Sequence, residues 1–158
     1  MIIDGYVESG KHLGRTLGFP TANIAPEHVT GAWPENGVYA AAVWIDGDAQ
    51  ARPAMLNQGV HPTAPEGKPT VEANLPGFSG DLYGRRVRVE YLKFLRRERR
   101  FESLDALTDQ LARDREALLD WIEAARRGED GSPEAVRARE IGWSEELGVR
   151  SEELESEV

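Results

Sequence analysis

The sequence predicts a mainly β domain followed by a long α-helix, and two patterns support this prediction. In the first two thirds of the chain, short apolar runs are separated by Gly, Pro and Asn at intervals of about ten to fifteen residues, as in antiparallel strands joined by turns. After residue 103, leucines repeat at helical spacing. With 158 residues, 40% of them apolar, the chain is long enough to bury one hydrophobic core.

Four strands can be assigned from these runs. Residues 37–45 form the clearest one, because a continuous apolar segment ends at the Asp46-Gly47 turn signal. Shorter apolar runs predict strands at 52–56 and 70–75. A fourth strand is predicted at 86–91, where polar and apolar residues alternate.

That alternation assigns the two faces of the fourth strand. Val87, Val89 and Tyr91 share one face and are expected to be buried. Arg86 and Arg88 lie on the opposite face, where we interpret them as solvated.

A helix is predicted from Leu104 to about Arg127, with Ser103 as its N-cap and Gly128 as its C′ residue. We interpret its apolar stripe as the face that packs on the β domain rather than as a seam for a partner helix. The stripe consists of Leu104, Leu107, Leu111, Leu118 and Ile122.

The chain divides near Gly128. Residues 1–127 are expected to form the barrel and its helix, and residues 128–158 an acidic extension. Ser132-Pro133 predicts a second, short helix, and Trp143 suggests that part of the extension docks. Residues 151–158 are acidic with few apolar groups, which predicts a disordered end.

Composition excludes several functional classes. The absence of Cys excludes thiolate catalysis, cysteine zinc sites and disulfides, and only three His remain as metal ligands of that kind.

No apolar segment approaches the roughly 18 residues that span a bilayer, so we expect a cytoplasmic protein without a membrane partner. The net charge of −9 argues against nucleic-acid binding. We also expect a monomer.

Residues 85–100 depart from this acidic balance, with eight basic and two acidic residues. Such a segment is either a solvated strand face or a site for an anionic ligand.

The glycine-rich segment at 10–24 contains the most informative polar pattern. Gly5 and Gly10-Lys11 nearly match a P-loop, but the later glycines and Pro20 exclude the helix that a P-loop requires. Glycines at 10, 14 and 18 let the backbone approach a polyanion closely, and Lys11 and Arg15 add charge. The alternative is that this segment is a Gly/Pro-rich loop that binds no ligand.

Thr21 and Asn23 alternate along an extended segment, so their side-chain oxygens face the same side. Hydroxyl and amide oxygens suit a hard cation such as Mg²⁺, which keeps waters and phosphate oxygens as its other ligands.

Several spaced motifs resemble the riboflavin kinase family, whose module also forms the C-terminal half of bacterial bifunctional FAD synthetases. The matching segments, in order, are Gly14-Arg15-Thr16-Leu17-Gly18-Phe19-Pro20-Thr21-Ala22-Asn23, Gly37-Val38-Tyr39, Asn57-x-Gly59-x-x-Pro62-Thr63, Glu72, Phe78-x-Gly80-Asp81-Leu82-Tyr83-Gly84, and Leu95-Arg96-x-Glu98-x-x-Phe101-x-Ser103-Leu104-Asp105-x-Leu107. The resemblance covers roughly residues 3 to 125.

This resemblance implies a six-stranded antiparallel Greek-key β-barrel with a long C-terminal helix. It also implies transfer of the γ-phosphate of ATP to the ribityl 5′-hydroxyl of riboflavin, with Mg²⁺, to give FMN. The chain lacks an adenylyltransferase domain, so we expect synthesis to stop at FMN; an excised domain of a longer protein is the alternative.

The resemblance also implies roles for individual residues, which are assigned by their position in the matching motifs. Glu72 matches the carboxylate that accepts the hydroxyl proton, and Thr21 and Asn23 match the metal ligands. The expected nucleotide contacts are Gly10, Arg15, Gly18, Pro20, Leu75 and Tyr83. The expected flavin contacts are Arg96, Arg99 and Phe101. Without the resemblance, Glu72 would read as an exposed strand residue. We expect Glu72 within about 10 Å of the threonine and asparagine, because a greater separation, with no mobile segment to close it, would put the carboxylate out of reach of the reaction.

The chain departs from the family pattern around position 74. Asn74 replaces a His, Pro76-Gly77 replace two residues before Phe78, and Gln58 stands where an aliphatic residue is usual. These changes leave open a flavin or nucleotide sensor without catalysis on the same barrel. A structural interaction module that uses the acidic tail is a further alternative.

Overall fold

The computed structural model describes residues 1–8, 21–60 and 68–144, and within them six antiparallel strands close into a barrel. The strands are β1 (Ile2–Glu8), β2 (Ala22–Thr30), β3 (Gly37–Ile45), β4 (Arg52–Gly59), β5 (Thr70–Asn74) and β6 (Arg86–Arg97), in the order β1-β2-β5-β4-β3-β6. Because β6 returns to lie beside β3 after the β3-β4-β5 meander, the connection is a Greek key, and the expected fold class is confirmed.

The four predicted strands are confirmed, although β6 continues six residues past the predicted end at Tyr91, to Arg97. The sequence did not delimit β1 and β2, because their patterns are weak. β1 contains Gly5, and β2 contains Pro26 and buries only Ile24. Pro26 is tolerated because it faces Gly5 at a β-bulge, where a missing backbone donor costs little.

Alternate residues of each strand fill the barrel. Val87 and Val89 are buried as expected, and Tyr91 packs against the same interior cluster. Arg86 and Arg88 are exposed, as expected, and are paired with Glu27 and Asp4.

Gln58 lies inside the barrel and is fully satisfied there. Its amide donates to the carbonyl of Pro34 at 2.8 Å and to Asn36 at 3.0 Å, and its Oε1 accepts from the Tyr91 hydroxyl at 2.9 Å. Burial raises the pKa of Tyr91, so this hydroxyl stays protonated and keeps donating. This polar residue therefore fixes the loop before β3 to the barrel.

The long helix, α1 (Leu104–Arg126), confirms the predicted limits. The Ser103 hydroxyl accepts from the backbone N–H of Ala106, and Gly128 ends the helix with a φ of 73°. Leu118 and Ile122 pack on the outer barrel wall. The prediction of a buried stripe is wrong at Leu104, whose residue surface is 58% exposed.

The second helix, α2 (Pro133–Glu140), begins at its predicted Ser132 cap. Ala135, Ala138 and the half-buried Trp143 pack with α1 and the outer face of β3. Trp143 also forms a parallel bridge with Ala51, so this part of the extension docks as expected. The prediction of a disordered end at 151–158 lies outside the described residues. Among the residues that are described, no helix is long and apolar enough to cross a membrane.

Candidate active site

Strand register aligns six residues across the barrel wall near one rim. In antiparallel pairs, opposed residues place their side chains on the same face of the sheet. Because Ile24, Leu56 and Val71 fill the interior, their strand neighbours in this row face outward. We call this set the outer row; in strand order it consists of Arg96, Val38, Asn57, Glu72, Asn23 and Glu8.

Glu72 lies in the middle of the outer row. It is opposed by Asn23 of β2 on one side and by Asn57 of β4 on the other. Opposed residues of antiparallel strands have Cα atoms about 4.5–5.5 Å apart, well inside the expected limit of ~10 Å between Glu72 and Asn23. The structure therefore brings the proposed proton acceptor and one proposed metal ligand together, although they are distant in sequence.

Thr21 immediately precedes β2 and is exposed. Whether its hydroxyl faces the same side as the Asn23 amide stays a prediction. The expected nucleotide contacts Gly10, Arg15, Gly18 and Pro20 lie outside the described residues. Glu8, the last residue of β1, adds a carboxylate opposite Asn23.

The two remaining expected nucleotide contacts lie in the segment after β5. Leu75 packs into the barrel core and is 8% exposed, so its side chain is not part of the outer row. Tyr83 is exposed, and the neighbouring Gly84 donates to the carbonyl of Val7, which places this turn beside the end of β1.

Pro76-Gly77 form a tight turn. The backbone N–H of Phe78 donates to the carbonyl of Leu75 at 3.2 Å, and Gly77 has a φ of 77°. Proline followed by a glycine of positive φ is the sequence preference of a type II turn. The two residues that depart from the family pattern therefore form a turn just after the end of β5.

At the other end of the outer row, Arg96 is held by the helix. Its Nε and Nη2 each donate to a different carboxylate oxygen of Asp114, both at 2.7 Å. A bulge in β6 opposite Val38 and Tyr39 places Leu95 and Arg96 where both meet α1.

Arg99 and Phe101 adjoin this pair. The guanidinium of Arg99 lies 5.4 Å from the centre of the Phe101 ring and that of Arg96 lies 5.8 Å from it. Arg99 also donates to Gln110 at 2.9 Å. The three expected flavin contacts thus form one cluster where β6 passes into α1.

Sequence reasoning assigned no role to three residues of this region: Glu8, Asn57, which lies in one of the matching motifs, and Asp114. Glu8 and Asn57 join the outer row only through strand register, which no local pattern reveals. Asp114 had a local signal, because it falls on the helix face between Leu111 and Leu118.

A family model described as riboflavin kinase matches residues 1–122. The bifunctional riboflavin kinase/FMN adenylyltransferase of Escherichia coli K12 is 42% identical over 112 residues, 71% of this chain and 35% of that protein. An RNA-binding riboflavin kinase of Bacillus subtilis is 40% identical over 114 residues, covering 72% of this chain and 47% of that one.

The crystal structure of riboflavin kinase from Trypanosoma brucei superimposes with a TM-score of 0.57 at 24% identity, covering 83% of this chain and 90% of that one. At this level of identity, the structural similarity shows that the two proteins share a fold and nothing more. The chain spans about a third to a half of the length of the two bacterial relatives.

Proposed function

The chain belongs to the riboflavin kinase family, and on this premise we propose that it transfers the γ-phosphate of ATP to the ribityl 5′-hydroxyl of riboflavin, producing FMN. Phosphorylation alone is proposed, because the matched family model describes a kinase. Both substrates are small molecules, and the use of ATP agrees with the expected cytoplasmic location.

The observation that carries the proposal is the opposition of Asn23 and Glu72 in the outer row. Phosphoryl transfer passes through a loose transition state, so the alignment of the groups and the neutralisation of phosphate charge outweigh the strength of the base. A carboxylate within reach of the acceptor hydroxyl orients it and takes its proton, an effect worth roughly 10²- to 10⁴-fold. Glu72 is the carboxylate assigned to this role.

A divalent cation fits the residues present. Thr21 and Asn23 offer neutral oxygen donors beside Glu72, and Mg²⁺ binds few protein ligands because it retains waters and phosphate oxygens. Within the described residues, no cluster of three or more His, Cys, Asp or Glu offers a competing metal site. When bound, Mg²⁺ would neutralise charge on the phosphate oxygens.

The outer row is long enough for the two substrates to bind at its opposite ends. Adjacent strands are about 4.8 Å apart, so three intervals separate Arg96 from Glu72 by roughly 14 Å around the wall. This supports placing the flavin ring beside Arg96 and Phe101, and the ribityl chain along the wall toward Glu72. The triphosphate then lies on the far side, next to Asn23.

Incubation with riboflavin, ATP and Mg²⁺, followed by chromatographic separation of flavins, tests the proposal. We expect FMN to form in proportion to time and enzyme, and not to form when EDTA removes the metal. Riboflavin binding without FMN would instead support the sensor alternative, and absence of both would defeat the proposal. Adding RNA to the same assay tests the expectation that nucleic acid has no effect on turnover.

A further inference from the structure

Asp114 is a buried acid on the face of α1 that packs toward the barrel. Its side chain is 4% exposed, and the apolar residues Leu111 and Leu118 flank it on the same face. Burial of a carboxylate is costly unless charged or polar partners compensate it. An apolar residue would pack equally well at this position, so packing alone does not explain why an acid is found there.

The partners of Asp114 are residues of the proposed flavin end. Both oxygens accept from Arg96, and Oδ1 also accepts from the Gln110 amide at 2.9 Å. The carbonyl oxygen of the same Gln110 amide accepts from Arg99 at 2.9 Å. One carboxylate therefore holds Arg96 directly and Arg99 through a single bridging amide.

This arrangement restricts two long side chains that would otherwise sample many rotamers. The Arg96 side chain is only 19% exposed, and both guanidinium groups lie against the Phe101 ring. Ordering such side chains during binding lowers affinity, whereas holding them in place beforehand avoids that loss.

We propose that Asp114 is a positioning residue for the flavin: it holds Arg96 directly, and Arg99 through Gln110, in the arrangement that receives riboflavin. The inference rests on the proposed function, because it assigns these arginines to the flavin. Asp114 itself does not contact the substrate; it acts through the guanidinium groups.

The test uses Asp114→Asn, which keeps the side-chain volume and removes the charge. Riboflavin binding is measured from the change in flavin fluorescence, and steady-state assays give KM for riboflavin and for ATP. We expect the riboflavin dissociation constant and KM to rise at least tenfold, while KM for ATP stays within twofold.

A matched control separates positioning from general stability. Glu90 and Arg137 form the same kind of two-bond pair, at 2.6 and 2.9 Å, between β6 and α2. Glu90 is 11% exposed and is not in the outer row. Glu90→Gln is therefore expected to lower the melting temperature about as much as Asp114→Asn, with riboflavin binding within twofold of the unmodified protein.

Equal riboflavin binding by Asp114→Asn and the unmodified protein, or equal weakening in both variants, would overturn the inference. If Asp114→Asn does not fold, Gln110→Met removes the bridge to Arg99 at similar volume. It should weaken riboflavin binding about threefold, and unchanged binding would overturn the inference. Riboflavin binding without FMN formation defeats only the kinase proposal, whereas absence of riboflavin binding by the unmodified protein defeats both.

Discussion

Asn23 on β2 and Glu72 on β5 oppose each other directly on the outer barrel wall. This pair brings a neutral oxygen donor and a carboxylate together near the N-terminal end of β2. In the proposed function the metal ligand and the proton acceptor therefore belong to different strands. Substitutions of the two residues should therefore have different effects.

Glu72→Gln should lower kcat at least a hundredfold, since general-base assistance contributes roughly 10²- to 10⁴-fold. The melting temperature should change little, because Glu72 is half-buried on the wall outside the core. Steady-state FMN formation measures the first effect and thermal unfolding the second. Glu27→Gln, an exposed carboxylate on β2, serves as the control and should leave kcat unchanged. Full activity of Glu72→Gln would remove this residue from the reaction.

Asn23→Ala should raise the Mg²⁺ concentration needed for half-maximal turnover about tenfold, because a metal with few protein ligands loses one of them. Riboflavin binding in the absence of nucleotide should be unaffected. Titration of FMN formation with Mg²⁺ measures the shift. Thr30→Ala, at the other end of β2, is the control. An unaltered Mg²⁺ requirement in Asn23→Ala would show that the metal lies elsewhere.

Gly5→Ala should destabilise the barrel. A Cβ at this position would overlap the backbone carbonyl of Ala25, which cannot move without disturbing the β1–β2 pairing. Overpacking of this kind typically costs about 1–3 kcal/mol, readable as a lower free energy of unfolding in urea. A Cβ at Gly131 meets no atom within 4 Å, so Gly131→Ala should be neutral. Equal stability of the two variants would contradict the close packing at Gly5.

Trp143→Ala should reduce stability by about 2–3 kcal/mol, below the full cost of a buried Trp because the ring is half-buried. The variant loses contacts with Ala51 and α1 and the hydrogen bond from Nε1 to the Ala138 carbonyl at 2.7 Å. KM for riboflavin should remain within twofold at temperatures where the variant is folded. Val136→Ala, on the exposed side of α2, should leave stability within about 0.5 kcal/mol. A large change in KM for Trp143→Ala would tie the extension to the chemistry.

Asp130 should make a pH-dependent contribution to stability. Hydrogen bonds from Ser132, the backbone N–H first, and from Trp121 hold the pKa of Asp130 below its usual 3.8. The folded state therefore binds this proton less readily than the unfolded state, so the stabilisation is complete above about pH 4 and disappears as the pH falls through the lowered pKa. Asp130→Asn should melt at a lower temperature than the unmodified protein at pH 7, and this difference should shrink toward pH 3. A difference independent of pH would exclude the charge as its cause.

Local patterns predicted much of the fold. The limits of α1 followed from Ser103, the leucine repeat and Gly128, because caps and helical spacing act within a few residues. The alternation at Val87 and Val89 identified the inner face of β6 for the same reason. β1 and β2 were not assigned because neither has a clear apolar alternation of its own, and both are defined by their pairing with each other and with β6 and β5.

The sequence by itself identified the family and the type of most secondary elements, and it provided the candidate residues for the chemistry. The tertiary structure decided which of these residues meet. Strand register placed Glu72 between Asn23 and Asn57, and the docking of α1 brought Asp114 to Arg96. Both relationships join residues far apart in the chain, and they arise only when the barrel closes and the helix packs on its wall. Residue spacing within a single strand or helix can show which face a residue occupies, but it does not identify the partner that the residue meets.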